Sequence, residues 1–312
     1  MLFSVALECS KRYDELLDLA VRAENCGFHS VQIYEHMINR PAWPLAFLIA
    51  SRTRRVAVGP VTVPSFAYDP FTLARLVQSL AEFAGERALI GVSRGAFSET
   101  MGTGRPKVRD FVGYLRTLAD LLCCRTGPCL DWWTRRTPAI LVGTSGPRLI
   151  SEVCKLPFVK GVVVDGLWNT DYARFLVDVI RRSLSEAGRE REGFEVIARP
   201  FCCICDDRRR ALEFLGPVLR KYLWELVGRS PMLSFAGVGP DELRYVSWDR
   251  PDKRLEDLIG NFAFFGPAED FAEGCREISK AGVDHVCIGL PIGPDPRSAL
   301  TEVSRALGLT CK

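Results

Sequence analysis

Short apolar runs alternate with longer stretches in which apolar positions recur at helical spacing, and this alternation continues along most of the chain. The run at residues 2–8 predicts a strand, and the positions that follow predict a helix that Ser10 can cap and Gly27 can end. Asp69 and Asp295 each precede a proline, which is typical of a helix start. Strands are predicted at residues 2–8, 30–34, 56–59, 87–93, 139–142, 162–165, 196–204 and 283–290.

Each of the eight predicted strands is followed by a helix or by a stretch that can form one. This order favours an α/β fold with a closed (β/α)8 barrel, the TIM barrel, over an open sheet. Residues 127–136 have the pattern of a small hairpin, and residues 230–265 predict an insertion before the last strand. We expect one domain over residues 1–312, with functional residues at the C-terminal strand ends and in the insertion.

The composition excludes several classes of protein. A hydrophobic share of 47% and a charged share of 25% are those of a globular protein, and no apolar run approaches the roughly 18 residues of a membrane helix. The 41 basic and 38 acidic residues leave a net charge of +3, too balanced to indicate nucleic acid or an anionic membrane as the partner. A small-molecule coenzyme and substrate are expected instead.

The 12 cysteines and three histidines do not predict a metal site, because the chain has no pair of CxxC spacings. The sequence leaves open whether the cysteines are thiols or disulfides, since that depends on compartment and host. The opening residues MLFSVALE are typical of a strand and not of a targeting segment, which favours a cytoplasmic protein.

A carboxylate and an imidazole stand side by side at the end of the second predicted strand. Glu35 and His36 can together tune proton transfer near neutral pH. Adjacent strand residues point to opposite faces, so we expect one of the two to enter the cavity. The alternative is structural, with one residue buried and hydrogen-bonded and the other paired with an arginine. His285 lies early in the eighth strand, toward the other barrel end, and is expected to be structural.

The loop at the end of the fifth predicted strand is a candidate phosphate site. It consists of Gly143, Thr144, Ser145 and Gly146, and a helix starts directly behind it. Glycine lets the backbone approach a ligand, hydroxyls donate hydrogen bonds, and the free N–H groups of a helix start favour an anion. The alternative is an ordinary helix cap.

Several short motifs carry a wider resemblance. They are Ala23-Glu24-x-x-Gly27-Phe28, Glu35-His36, Val58-Gly59-Pro60, Glu86-Arg87-Ala88-x-x-Gly91, Gly143-x-x-Gly146-Pro147, Cys202-Cys203-x-x-Asp206, Phe265-Gly266-x-x-Glu269, and Gly282-Val283 through Pro291-Ile292-Gly293-Pro294-Asp295. With these motifs the chain resembles the bacterial luciferase-like superfamily nearly from end to end. Within it, the chain most resembles the archaeal methylenetetrahydromethanopterin reductases, which use the deazaflavin coenzyme F420.

The resemblance implies a barrel with an insertion region, assembled as a homodimer or homotetramer. It also implies hydride transfer between reduced coenzyme F420 and a one-carbon pterin substrate. The coenzyme would lie across the C-terminal barrel mouth, against a bulged third strand with a cis peptide at Val61, Thr62 and Val63. Its phosphate would contact the loop of residues 144–146, and Asn169, in the loop after the sixth strand, would also bind it.

The chain departs from the family pattern at its acidic positions. The family's aspartate before the second-strand histidine is Glu35, and the acids expected on the first strand and after the fourth align with Ala6 and Ala96. Glu8 lies two residues beyond Ala6 on the same face of the strand, so it can supply the first acid. Glu99 is the nearest acid to Ala96 and can reach inward from its loop.

The end of the fourth predicted strand adds two candidate coenzyme ligands, Ser93 and Arg94. Arg94 takes the place of a neutral residue and can contact an anionic ring or a carboxylate.

Three functions follow. The first is an F420-dependent oxidoreductase in which Glu35, His36 and Glu8 do the acid–base work. The second keeps the fold but binds flavin mononucleotide (FMN) at the same Thr144 and Ser145 loop, in a monooxygenase reaction. The third, which the loss of the two aligned acids predicts, is a barrel without catalysis.

Overall fold

The computed structural model of the protein describes residues 1–134, 138–244 and 253–310. Parallel strands dominate these ranges. They are β1 (Leu2–Glu8), β2 (Ser30–Tyr34), β3 (Ala57–Pro60), β4 (Val63–Pro64), β5 (Leu89–Ser93), β6 (Ala139–Gly143), β7 (Val159–Asp165), β8 (Glu195–Arg199), β9 (Phe201–Ile204), β10 (Ala263–Gly266), β11 (His285–Ile288) and β12 (Pro291–Ile292).

Helices follow the strands and cover the outside of the sheet. They are α1 (Tyr13–Asn25), α2 (Ala42–Arg52), α3 (Pro70–Ala84), α4 (Val108–Leu122), α5 (Pro147–Cys154), α6 (Thr170–Glu186), α7 (Arg208–Val227), α8 (Met232–Phe235), α9 (Pro240–Arg244), α10 (Lys253–Ile259), α11 (Ala268–Lys280) and α12 (Pro296–Ala306).

The main sheet closes on itself. Its strand order is β3-β2-β1-β11-β8-β7-β6-β5-β4, and a bridge joins Val58 in β3 to Ala88, the residue before β5. Since β3 and β4 are two parts of one strand, the described residues form eight strand positions around the barrel. Strands buried on both faces need apolar residues on both, which explains the near-continuous apolar runs. The predicted barrel is therefore confirmed.

A second, small sheet lies beyond the barrel, with the order β10-β9-β12. Its central strand β9 follows β8 directly after Pro200, so one long predicted strand serves both sheets. The predicted insertion at residues 230–265 contains α8 to α10 and ends inside β10, an additional parallel strand that the sequence interpretation missed. Residues 245–252 of that stretch lie outside the described residues.

Helix starts show where local signals were sufficient. Asp69 accepts hydrogen bonds from the N–H groups of Phe71 and Thr72, and Asp295 caps α12 in the same way, as predicted. Ser10 does not cap α1, which begins at Tyr13 after Arg12 and has no side-chain cap.

The predicted hairpin at residues 127–136 was wrong where it can be tested. Residues 127–134 form no strand, while 135 and 136 lie outside the described residues. A disulfide between Cys124 and Cys129 closes this connection instead.

Two further expectations concern what the described chain lacks. None of its helices has both the length and the apolar character needed to cross a bilayer. Across the same residues, His, Cys, Asp and Glu side chains form no group of three or more that could hold a metal ion.

Candidate functional site

A cleft opens at the C-terminal ends of the barrel strands. Its inner part, the inner cleft, is lined by His36, Thr62, Ser93, Gly143 and Asp165, among others. Its outer part, the outer cleft, runs between the β5–α4 loop, the start of α5 and the end of α7. The two parts are continuous, because both are lined by Arg105, Thr144, Ser145, Glu225 and Leu226.

His36, which lines the inner cleft, forms a carboxylate–imidazole pair with Glu8. Glu8 ends β1 and His36 follows β2, so the parallel pairing of these strands brings both to the barrel mouth. Oε1 of Glu8 lies 3.2 Å from Nδ1 of His36 and accepts a hydrogen bond from Asn39 at 2.7 Å. The hydroxyl of Tyr222, carried by α7, donates to the same oxygen.

This arrangement fixes the charge of Glu8 and the position of the imidazole. Burial alone would raise the pKa of Glu8, but the hydrogen bonds from His36 and Tyr222 outweigh it and lower the pKa to about 2. The His36 ring lies against Tyr222, at 4.9 Å between centroids, and against Tyr34, at 4.8 Å. Nε2 of His36 has no hydrogen-bond partner within the described chain, and His36 lines the inner cleft. The free nitrogen can therefore exchange a proton with a ligand there.

Glu35 is not the partner of His36, although the two are adjacent in sequence. Its carboxylate accepts the N–H of Ala42 at 2.5 Å, at the start of α2, and the hydroxyl of Tyr68 at 2.9 Å. Burial raises the pKa of Glu35 despite these hydrogen bonds. Glu35 lines the edge of the inner cleft, but its main contacts fasten α2 to the barrel mouth.

A buried ion pair reaches the inner cleft through Asp165, and the sequence interpretation missed it. Arg199 is fully buried and binds Asp165 through two hydrogen bonds of 2.6 and 3.0 Å. It also donates to the carbonyl of Val61 and lies over the ring of Tyr34, at 4.1 Å from its centroid. The signal in the sequence was a lone arginine inside an apolar strand, which requires a buried partner.

The loop of residues 144–146 lies where the two parts of the cleft meet. Gly146 is the N-cap residue of α5, and no side chain caps this helix. The hydroxyl of Thr144 accepts the N–H of Gly146 at 3.1 Å, and the hydroxyl of Tyr172 donates to the carbonyl of Ser145. The first N–H groups of α5 therefore have no side-chain acceptor, which suits an anionic ligand.

The bulged third strand has the form that the resemblance implies. The peptide bond between Val61 and Thr62 is cis, Thr62 lines the inner cleft, and Val61 and Val63 are fully buried. Glycine is required beside the bulge, because a Cβ on Gly91 would lie 2.7 Å from Val61 and one on Gly143 would lie 2.7 Å from Thr62. Gly143 therefore leaves space for the side chain of Thr62 and also lines the inner cleft.

Two other candidate coenzyme ligands have contacts within the protein. Arg94 lines the outer cleft, and its Nε donates to the carbonyl of Pro106 at 2.6 Å. Asn169 caps α6 by accepting the N–H of Tyr172 and donates to Asn261. Asn169 lines neither part of the cleft.

The positions of the two missing acids differ in their surroundings. Glu8 places a carboxylate at the mouth two residues beyond Ala6, whereas Ala96 lines the inner cleft with no acid in its place. Glu99 is exposed and forms an ion pair with Arg229 at the rim of the outer cleft.

Comparison with known proteins gives consistent matches along the whole chain. The luciferase-like monooxygenase family matches residues 3–285. The 5,10-methylenetetrahydromethanopterin reductase of Archaeoglobus fulgidus is 25% identical over 98% of both chains. The F420-dependent glucose-6-phosphate dehydrogenase of Kribbella flavida is 30% identical over 92% of this chain and 91% of the relative.

A solved structure shares the fold. The coenzyme F420 dependent tetrahydromethanopterin reductase of Methanopyrus kandleri superposes with a TM-score of 0.83 at 20% identity, over 100% of this chain and 99% of that one.

Proposed function

Because this chain belongs to the luciferase-like monooxygenase family, we propose that it is an F420-dependent oxidoreductase that transfers hydride to or from a one-carbon pterin, as a methylenetetrahydromethanopterin reductase does. Among the relatives that match most of its length are a 5,10-methylenetetrahydromethanopterin reductase and an F420-dependent glucose-6-phosphate dehydrogenase. The observation that carries the proposal is the Glu8–His36 pair, whose unpartnered Nε2 belongs to a residue lining the inner cleft.

The residues of the cleft fit such a coenzyme. Deazaflavin, when bound, supplies or accepts the hydride. Thr62, Ser93 and Gly143, which line the inner cleft beside the bulged strand, would flank the ring. The uncapped start of α5 and the hydroxyl of Ser145 would hold the phosphate in the outer cleft.

The acid–base work falls to His36, with Glu8 as its positioning residue. Glu8 stays ionised through the physiological range because its pKa is about 2. It therefore holds Nδ1 of His36 and leaves Nε2 to take or give a proton at the substrate. Phe97 packs edge-on against His36, at 5.6 Å between ring centroids.

Glu8 also argues against the non-catalytic alternative. That reading depended on the loss of acids at Ala6 and Ala96, and Glu8 restores a carboxylate in direct contact with the histidine. The FMN alternative uses the same loop and differs by which coenzyme binds.

The test is to titrate the purified protein with coenzyme F420 and with FMN, following the fluorescence of its tryptophans, and then to follow the absorbance of F420 with methylenetetrahydromethanopterin as substrate. We expect F420 to bind and its redox state to change with this substrate. Binding of FMN alone would favour the monooxygenase, and binding of neither would contradict both enzymes. If F420 binds but the pterin does not react, the pterin assignment is wrong.

A further inference from the structure

The barrel wall opens beside Glu8. β1 pairs with β11 from Leu2 to Val5, and the chain after β11 then leaves the main sheet, because β12 pairs with β9 in the second sheet. Residues 6–8 therefore pair with β2 on one side and, within the part of the chain that the structure describes, with no strand on the other. The sheet forks at this point and leaves a gap in the wall.

A cavity of about 370 Å³, which we call the side pocket, lies in this fork. Residues 6–8 line one side of it and residues 290–292 the other. Most of its remaining walls are apolar side chains of α1 and α7, namely Leu16, Leu19, Phe214, Pro217 and Val218. A cavity of about 150 Å³ with apolar walls already admits benzene. The side pocket therefore has room for a ring with a short polar arm.

Apolar surface in the side pocket is open to water. Phe214 of α7 is 45% exposed, and Pro217 and Val218 on the same helix are also accessible. A ligand that covers this wall and fills the cavity removes apolar surface from water, which favours binding.

Glu8 is the buried polar side chain of the side pocket. It is 10% exposed, and it lines this pocket but not the inner cleft. His36, Asn39 and Tyr222 all contact its Oε1. The hydroxyl of Ser10, which also lines the pocket, adds a weaker hydrogen bond. Because three groups crowd one oxygen and each oxygen has about two lone pairs, Oε2 keeps room for a further donor.

The charges around the side pocket favour a cation beside Glu8. Lys11 and Glu213 also line the pocket, but both are exposed, and Glu213 pairs with Arg209 at 3.2 Å, so water screens these charges. Glu8 is ionised at neutral pH and lies where little water reaches it, so an ion pair with Glu8 is stronger than one at the rim.

We propose that the side pocket binds a small apolar molecule carrying a protonated amine, with the apolar part between α1 and α7 and the ammonium group donating to Oε2 of Glu8. No described residue that lines the side pocket lines either part of the cleft, so the ligand occupies a site apart from the coenzyme. A further donor on Glu8 competes with His36 for the same carboxylate and thus acts on the histidine from outside the cleft. The effect on turnover rests on the proposed function, whereas the binding does not.

The first test compares three benzyl compounds of similar size: benzylamine, benzyl alcohol and benzoate. Their Kd values are measured by calorimetry at pH 7, where the amine is protonated. We expect the amine to bind about tenfold more tightly than the alcohol, and benzoate more weakly than both. Glu8→Gln should remove most of the preference for the amine. Equal binding of amine and alcohol, or tighter binding of benzoate, would overturn the assigned ligand class.

Matched phenylalanine variants test where the amine binds. Phe214→Ala removes a wall of the side pocket, and Phe83→Ala removes a ring of α3 that is 53% exposed and lines neither the side pocket nor the cleft. The first should weaken amine binding about fivefold and the second should leave it unchanged. Val218→Trp, which fills the pocket from α7, should also weaken binding and replaces Phe214→Ala if that variant does not fold. Unchanged binding in the pocket variants would overturn the inference.

The three histidines provide a readout that needs no coenzyme. In NMR spectra the ring signals of His36, identified by their loss in His36→Asn, should shift as the amine saturates the protein. Those of His29 and His285, which lie together at the opposite barrel end, should not move. A His36 signal that stays in place, or displacement of the amine by coenzyme F420, would overturn the inference.

The two proposals fail separately. A protein that binds and turns over F420 but does not bind benzylamine would overturn this inference and leave the proposed function intact. A protein that binds the amine as described but not F420 would do the opposite.

Discussion

The two ends of the barrel each contain a carboxylate–imidazole pair with nearly the same geometry. At the mouth, Glu8 lies 3.2 Å from Nδ1 of His36; at the opposite end, Glu195 lies 3.2 Å from Nδ1 of His285. At that opposite end Nε2 of His285 shares a hydrogen bond of 2.7 Å with the hydroxyl of Ser4. Ser4, His285 and Glu195 thus have the atom order of a catalytic triad, yet Ser4 is completely buried.

The difference lies in the second nitrogen of the imidazole. At the closed end it is bonded to Ser4, whose hydroxyl also lies 2.6 Å from that of Ser30, so the group is satisfied inside the protein. At the mouth it belongs to a residue that lines an open cleft and has no partner among the described residues. Access and an unpartnered atom, more than the pair itself, distinguish the pair at the mouth from the structural pair at the closed end. Replacing members of each pair can break this comparison.

The largest difference should come from the histidines. Replacing His36 by Asn should lower kcat by roughly 10²–10⁴ because it removes the proton-transferring nitrogen. The matched change His285→Asn should leave kcat within about twofold but reduce the free energy of unfolding by about 1–3 kcal/mol, because the buried Ser4 and the partly exposed Glu195 each lose a partner. Steady-state kinetics and urea unfolding of both variants measure these effects. A folded His285→Asn protein without activity would contradict the assignment.

Acid should affect the mouth pair more than the closed-end pair. The pKa of Glu8 is lowered from 4.5 to about 2, so its contribution to stability is present above about pH 4.5 and is lost as the pH falls toward 2. That contribution amounts to about 3 kcal/mol. The pKa of Glu195 is lowered chiefly by the hydrogen bond from His285, but its side chain is 38% exposed, so a smaller effect is expected.

The free energy of unfolding measured between about pH 5 and pH 2 tests this order. It should depend less steeply on pH in Glu8→Gln than in Glu195→Gln. A steeper pH dependence in Glu8→Gln than in Glu195→Gln would show that folding does not shift the pKa of Glu8 more than that of Glu195.

The smallest effect should come from neutralising the carboxylates at neutral pH. Glu8→Gln should lower kcat at least about tenfold, since Gln keeps the size of the side chain but not the charge that holds His36. Glu195→Gln is the matched control and should leave kcat unchanged. Equal kinetics of the two variants would show that Glu8 does not position His36.

The sequence was sufficient for the barrel because the signals for its elements are local. Strands β1 and β2 have the predicted bounds, Asp69 and Asp295 cap their helices, and the predicted family is confirmed by the match over residues 3–285. β10 was missed because it is only four residues long and lies next to a stretch rich in Gly and Pro.

Some motifs that carried the resemblance prove to be part of the scaffold. Glu24 accepts the N–H groups of Arg54, Arg55 and Val56 and so fixes the entry to β3. Arg87 donates to the carbonyl oxygen of Val56 on the same turn and to that of Ala50 in α2.

The site was predicted only in part because its partners are distant in sequence. The alternation of a strand indicated that Glu8 shares a face with Ala6, but no local pattern connects Glu8 with Tyr222, which is 214 residues away. The choice between Glu35 and Glu8 as the partner of His36 depended on the start of α2, where the N–H of Ala42 binds Glu35. The disulfide between Cys124 and Cys129 could not be predicted from the sequence either, because the spacing of the two cysteines is also compatible with free thiols.

The position of Glu8 has a consequence for the depth of the carboxylate in the barrel. A barrel strand presents the same wall at every second residue, so a carboxylate can move along the wall in steps of two residues without leaving the cavity. Each step is about 6.6 Å. Glu8 therefore lies one such step nearer to the C-terminal barrel mouth than an acid at Ala6 would, and there it contacts His36. An evolving chain can in this way move an acid along one strand by exchanging two residues and keep it on the same face.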